Sequence, residues 1–219
     1  MRLVFMGPPG AGKGTQAKRL CDSLRIAHVS TGDMIRERIR AGTPVGLKVQ
    51  PFVESGGLVP DPIMVDLVSE RLAEPDCATG FLLDGFPRTQ PQAESLTRSL
   101  AKLGRQLKAV IVLEVPDDEV VGRLSGRRTC TNPNCQANYH MHTIRPREVG
   151  KCDRCGHPLV QRPDDRPEAI RTRLENYHRQ TEEVAKYYHD TGLVRRVVGV
   201  GSVDEVHQRI RDVIDATGR

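Results

Sequence analysis

Gly7-Pro8-Pro9-Gly10-Ala11-Gly12-Lys13-Gly14-Thr15 follows the apolar, strand-like run Leu3-Val4-Phe5-Met6 and runs directly into a helical pattern. Strand, glycine-rich turn and helix in that order predict a phosphate-binding loop. Glycine tolerates positive φ and lets the backbone wrap closely around a polyphosphate, so that successive N–H groups and the positive end of the helix face the anion. Lys13 would then reach the outer phosphates as a mobile point charge. The pattern departs from G-x-x-x-x-G-K-[ST] at Gly14, which delays the hydroxyl to Thr15 and argues against that hydroxyl as a direct metal ligand.

Further along the chain, strand-like runs at Ala27 to Ser30, Phe81 to Leu83, Ala109 to Val115 and Leu193 to Val198 alternate with helical patterns. Alternation of this kind predicts an α/β fold with a parallel sheet flanked by helices. Ala17, Leu20, Cys21 and Leu24 after the loop, and Val206, Ile210, Val213 and Ile214 near the end, recur at helical spacing on one face. Two segments break the rhythm. Thr31 to Val59 holds short amphipathic pieces between glycines and prolines, with no strand, and reads as a helical insertion. Gly126 to Pro163 is rich in Cys, Asn, Pro, Gly and Arg and poor in aliphatic residues, so something other than an aliphatic core must hold it.

The 219 residues are 37% hydrophobic and 28% charged, enough for a sizeable core and unlike a disordered chain. A net charge of +5, without a long basic block, suits anionic small molecules better than nucleic acid. The segment from Gly126 to Pro163 offers only Tyr139 for base stacking, which argues against a zinc-knuckle nucleic-acid-binding module. The apolar residues before the glycine-rich loop are too few for a signal-peptide core, and no stretch is long enough to span a membrane, so a cytoplasmic protein is expected.

Phe81-Leu82-Leu83-Asp84 ends an apolar run in an acid, which is how a buried parallel strand presents a carboxylate beside a phosphate loop. Asp84 is expected to hold Mg²⁺ through water. Gly85 permits close backbone approach, Pro87 stiffens the turn, and Arg88 adds a bidentate donor. Of six cysteines, four form two pairs, Cys130-x4-Cys135 and Cys152-x2-Cys155. In a reducing compartment that grouping reads as a four-thiolate metal site, zinc first, with iron, cobalt or free thiols as alternatives. His28 and His178 read as structural or solvated.

Gly7 to Gln16, Ser30-Thr31-Gly32-Asp33 with Arg36, Gly57-Leu58-Val59-Pro60-Asp61, Gly80 to Thr89 with Gln92, Gly126-Arg127-Arg128 and Arg162-Pro163-Asp164-Asp165 follow one another over nearly the whole chain. In these motifs and their order the chain resembles the adenylate kinases, which interconvert ATP plus AMP with two ADP. The resemblance implies the P-loop nucleoside-monophosphate kinase fold: a five-stranded parallel core (1–29, 60–121 and 164–219), a nucleoside-monophosphate-binding insertion (30–59) and a metal-binding lid (122–163). It implies that Gly10, Ala11, Gly12, Lys13, Gly14 and Thr15 hold the ATP phosphates. Arg123, Arg127, Arg162 and Arg173 would surround the transferring phosphoryl group, Arg123 also stacking on the ATP adenine and Gly201 meeting it through its backbone. Arg36 and Arg88, with Arg162 and Arg173, would grip the AMP phosphate. Thr31, Gln92 and the backbone at Gly57, Val59 and Gly85 would recognise the AMP base.

The lid resembles those of long-form adenylate kinases, whose first cysteine pair is usually C-x2-C. Asn132-Pro133-Asn134 lengthens the turn here, leaving His140 or His142 as alternatives to Cys135. A kinase for UMP or CMP is the nearest rival; its shorter lid and the presence of Thr31 here argue against it. The resemblance implies a Mg²⁺-dependent monomer acting on ATP, AMP and ADP, with structural Zn²⁺ and no nucleic-acid or membrane partner. Abundant arginines and few candidate bases fit this chemistry, because an anionic acceptor phosphate needs alignment and charge neutralisation more than deprotonation.

Overall fold

A computed structural model describes residues 1–217. Its strands are β1 (Arg2–Met6), β2 (Ala27–Ser30), β3 (Phe81–Asp84), β4 (Ala109–Glu114), β5 (Arg127–Cys130), β6 (Asn138–His140), β7 (Leu159–Val160) and β8 (Val194–Val198). The helices are α1 (Lys13–Leu24), α2 (Thr31–Arg40), α3 (Pro44–Glu54), α4 (Asp61–Ala73), α5 (Gln90–Lys102), α6 (Asp117–Ser125), α7 (Pro167–Asn176), α8 (Glu182–His189) and α9 (Val203–Thr217).

Five strands form one parallel sheet in the order β2-β3-β1-β4-β8, and every strand-like run read from the sequence lies in it. Period-two alternation splits the apolar residues between two layers. Val4, Met6, Leu83, Val110 and Val112 face one side, where α4, α5 and α8 contribute Leu67, Leu72, Leu96, Val184 and Tyr188. Leu3, Phe5, Leu82, Ile111 and Leu113 face the other, against Ala17 and Leu20 of α1, Val120 and Leu124 of α6 and Ile210 of α9. Both faces are covered, which explains why β1, β3 and β4 read as continuous apolar runs. Each fully buried Leu, Ile or Phe contributes roughly 1.5–3 kcal/mol.

Strand order reverses about β1: the chain leaves β1 toward β2 on one side and leaves β3 toward β4 on the other. The loops after β1 and β3 therefore open a crevice at the carboxyl edge of the sheet, the usual ligand position in such folds. The segment from Thr31 to Val59 folds as α2 and α3, anchored to the core by Ile35 and Val49. Ser30 caps α2 through the N–H of Asp33, and Thr43 caps α3 through that of Gly46.

β6, β5 and β7 form a separate antiparallel sheet. Gly122 to Ser125 are the last turn of α6, and the separate sheet starts at Arg127. Its interior is a small cluster of Cys130, Ala137, Tyr139 and Cys152, with Cys135, Cys155 and Leu159 packed against it. Thiols thus occupy the place of an aliphatic core. Among the described residues no helix is long and apolar enough to cross a membrane.

Candidate active site

Left-handed Gly10 (φ 78°) and Gly12 (φ 92°) turn the chain from β1 into α1, and a Cβ at Gly10 would lie 2.9 Å from Leu124 Cγ. No side chain caps α1, so its first-turn N–H groups remain open to an anion. Lys13 Nζ folds back and donates to the carbonyls of Gly7 and Pro8, both at 2.7 Å. A Cβ at Gly14 would stand 3.4 Å from Asp84 Oδ2, an ordinary van der Waals contact, which puts this position beside the carboxylate that ends β3. Thr15 points to solvent.

Asp84 is buried at the end of β3. His28 Nε2 stands 3.6 Å from Asp84 Oδ2 with no hydrogen-bond partner, while His178 is a surface group between Asp117 and Glu182. Thr31 Oγ1 donates to the carbonyl of Asp84 at 3.2 Å. Gly85 has φ 85°, and a Cβ there would meet Thr31 Oγ1 at 2.7 Å and Arg88 Nη2 at 3.1 Å. Any other residue would therefore be both strained and obstructed.

Thr31, Arg36, Gly57, Val59, Gly85, Arg88, Gln92 and Arg173 line one pocket, so most of the residues expected at the AMP site converge. The pocket also includes Ile35, Val53, Met64 and Asp164, to which the sequence assigned no site role. Gln92 Oε1 accepts from the Arg88 N–H at 2.8 Å, and its Nε2 donates to Asp61 Oδ1 at 2.7 Å. The amide is thereby oriented and keeps one acceptor lone pair and one N–H. Asp61, which also accepts from Thr89 Oγ1, is a positioning group without an assigned role in the sequence reading.

Arginines surround the space between loop and pocket. Arg127 Nε and Nη2 grip fully buried Asp165 at 2.8 and 2.6 Å, and Arg173 Nη1 reaches Asp165 Oδ1 at 3.2 Å and Asp164 Oδ2 at 2.9 Å. Arg36 pairs with Asp33 at 2.7 Å, Arg88 Nε donates to the Gly85 carbonyl, and Arg162 donates to Thr129 Oγ1 and Asn138 Oδ1. The acids Asp33, Asp164 and Asp165 aim these cations; their sequence signals are the Ser30-Thr31-Gly32-Asp33 motif for the first and the Arg162-Pro163-Asp164-Asp165 motif for the other two. Arg123 stands apart. It pairs with Glu119 and donates to the Gly199 carbonyl at 3.2 Å, beside the loop carrying Gly201. It takes no part in the ion pairs with Asp33, Asp164 and Asp165.

The cations outnumber their partners. Burial, only partly offset by Asp84, lowers Lys13 to about 7, with Arg88, Arg173 and Arg127 adding repulsion. Burial likewise lowers Arg88 to about 10, with Arg173 and Arg36 repelling it. Arg162 falls to about 9 through burial and the nearby Arg36 and Arg127. Such a cleft is short of negative charge, as a polyphosphate site must be before it is filled.

In the lid, the Sγ atoms of Cys130, Cys135, Cys152 and Cys155 all lie within 4.8 Å of one another. Nearby backbone N–H groups of Asn132, Ala137, Arg154 and His157 favour the thiolate forms of Cys130, Cys135, Cys152 and Cys155 respectively. The His157 N–H is the main cause holding Cys155 down to about 6, whereas burial pushes Cys130 up to about 12. The longer first turn still brings Cys135 into the cluster. His140 is engaged elsewhere: its Nδ1 accepts from the N–H groups of His142 and Thr143, and Nε2 donates to the Gly122 carbonyl. Four converging thiols, with N–H groups to stabilise thiolates, suit a tetrahedral dication.

A phosphate-binding loop beside a pocket lined by Thr31, Arg36, Gly85, Arg88 and Gln92, with further arginines held by Asp164 and Asp165, defines a phosphotransferase of the P-loop class. The family model described as adenylate kinase matches residues 5–193. An adenylate kinase of Moorella thermoacetica is 49% identical over 219 residues, covering 100% of this chain and 97% of that one. Adenylate kinases of Carboxydothermus hydrogenoformans (48%, 98% of this chain and 99% of that one) and Archaeoglobus fulgidus (46%, 98% of each) are similar over the same extent. The chain belongs to the adenylate kinase family, enzymes that carry out Mg²⁺-dependent, reversible phosphoryl transfer from ATP to AMP, giving two ADP.

Proposed function

We propose that the cleft works as two facing phosphate sites, a donor site on the Gly10 to Thr15 loop and an AMP site in the pocket walled by α2, α3 and Gly85, with the transferring group between them. The observation that carries this is the convergence of Lys13, Arg88, Arg127 and Arg173 on one another's charge, with only Asp84, Asp164 and Asp165 to balance them. Arg88 and Arg36 hold the acceptor phosphate, whose own charge makes it a nucleophile without a general base. Lys13 and the loop amides hold the donor phosphates. Arg127, Arg162 and Arg173 neutralise charge on the moving group and complete a water-poor enclosure, which limits hydrolysis. Asp84 would hold the Mg²⁺ that accompanies the donor, through water, and that ion would supply further charge neutralisation. Gln92 and Thr31 select adenine on the acceptor side.

The lid cysteines Cys130, Cys135, Cys152 and Cys155 hold one Zn²⁺ that replaces an aliphatic core; four protein ligands leave no open position for chemistry. The core, insertion and lid correspond to residues 1–29, 60–121 and 164–219, residues 30–59, and residues 122–163. The enzyme acts as a cytoplasmic monomer. Initial rates with ATP and a panel of AMP, dAMP, GMP, UMP and CMP test the acceptor assignment. AMP should have the highest kcat/KM; a higher value for UMP or CMP would refute the role given to Thr31 and Gln92.

A further inference from the structure

We propose that Tyr139 is a positioning residue of the lid metal site: its hydroxyl donates to the sulfur of Cys152 and strengthens the hold of the four cysteines on the dication. Its role rests on the four-cysteine Zn²⁺ site proposed above.

Tyr139 lies on β6, paired with Arg128 of β5, and its ring belongs to the small lid interior with Cys130, Ala137 and Cys152. Tyr139 and Cys152 are both buried. The Tyr139 hydroxyl oxygen stands 3.6 Å from Cys152 Sγ, a hydrogen-bond distance for an atom as large as sulfur. That oxygen already accepts from the Asp153 N–H at 2.8 Å. Asp153 is held in turn, its Oδ1 accepting from the Arg147 N–H at 2.8 Å. The phenol is therefore fixed from the oxygen side, and Cys152 Sγ is the one acceptor for its proton among the described hydrogen bonds. No other side-chain hydroxyl reaches a lid sulfur among those bonds.

The state of the sulfur decides the direction of this bond. A thiol can donate or accept, but a thiolate that holds a metal can only accept, so in the metal-bound lid the phenol must donate. A hydrogen bond to an ionised partner is roughly twice as strong as one between neutral groups. The hydroxyl thus stabilises the metal-bound thiolate more than the protonated thiol that takes its place when the metal leaves, and the difference adds to metal affinity. Four thiolates around one dication also leave a net negative charge. A neutral donor offsets part of it without bringing a competing cation into the ligand set. Thirteen residues separate Tyr139 from Cys152, so only the folded lid brings the two together.

Tyr139→Phe removes the hydroxyl and keeps the ring. Zinc affinity of the full chain is measured by competition with a chromophoric chelator on wild type and variant, and absorption spectra are recorded on both proteins loaded with Co²⁺. Affinity should fall roughly tenfold, the low end for losing a group that is hydrogen-bonded to a metal ligand. The sulfur-to-cobalt charge-transfer bands should move to lower energy, because a thiolate that loses a hydrogen bond holds its electrons less tightly. A ring that serves only to fill the lid interior would leave the bands in place. If Tyr139→Phe does not fold its lid, the bands are read on the wild-type chain labelled with 3-fluorotyrosine. Tyr139 is the only tyrosine between residues 122 and 163, and its fluorinated phenol, a stronger donor, should move the bands to higher energy. Bands that stay in place or move the other way overturn the proposal, as does a zinc affinity of Tyr139→Phe within about twofold of wild type. A wild type that takes up neither zinc nor cobalt sinks the four-cysteine metal site itself, and the role of Tyr139 with it.

Discussion

Replacing Asp165 by asparagine should both destabilise the fold and slow the chemistry, because one buried carboxylate aims two arginines of the cleft. Asp165 has no solvent exposure and accepts three hydrogen bonds, two from the Arg127 fork and one from Arg173. Asparagine keeps the volume but removes the charge, and it presents one oxygen where Arg127 requires two. Breaking a buried ion pair by neutralising one partner costs about 3–5 kcal/mol. Here the guanidinium groups retain 19% and 18% side-chain exposure, so water recovers part of that loss. The lower bound, about 3 kcal/mol, is therefore the better figure, equivalent to a melting temperature lower by roughly 6–12 °C for a chain of this size. Thermal unfolding followed by circular dichroism measures this, and kcat at 25 °C measures the misplacement of Arg127, expected to cost about tenfold or more. Asp164→Asn is the internal control. Asp164 holds Arg173 with one oxygen at 2.9 Å and keeps some exposure, so its loss should be smaller. Burial alone would raise the Asp164 pKa, but Arg173, Arg127, Arg36 and Arg162 outweigh it and hold the group below its ordinary range. Its contribution is therefore complete at neutral pH and is lost only as the pH falls below about 4. An Asp165→Asn protein that melts within about 2 °C of wild type with unchanged kcat would refute the positioning role.

Burial lowers Lys13 from 10.5 to about 7, so the unfolded chain binds more protons than the folded one between those values and this residue's contribution to stability rises with pH across that window. A polyphosphate restores the charge, and Mg-ATP binding at pH 8 should take up about 0.9 proton, read by titration calorimetry in buffers of different ionisation enthalpy; equal uptake by Lys13→Met would disprove the assignment. One equivalent of zinc per chain is expected by elemental analysis, and Cys152→Ser should lose it and melt at lower temperature while the core still binds nucleotide. Unchanged melting with abolished single-turnover chemistry would instead make the metal a participant in the reaction.

Local signals were sufficient for much of this protein. Strand, glycine-rich turn and helix are determined by neighbours in the chain, so the phosphate loop and the core strands were legible from residue order alone. Cysteine spacing similarly brought the lid thiols together on paper, because each knuckle is a local turn. What required the folded chain were contacts between distant segments. Gly85 makes sense only against Thr31, and Gln92 only between Asp61 and the Arg88 backbone. Asp165 shares a motif with Arg162 but serves Arg127 and Arg173 across the cleft. Periodicity determines which face of an element is apolar, whereas the partners of a polar side chain depend on how the sheet, insertion and lid pack, a relation that no single segment encodes.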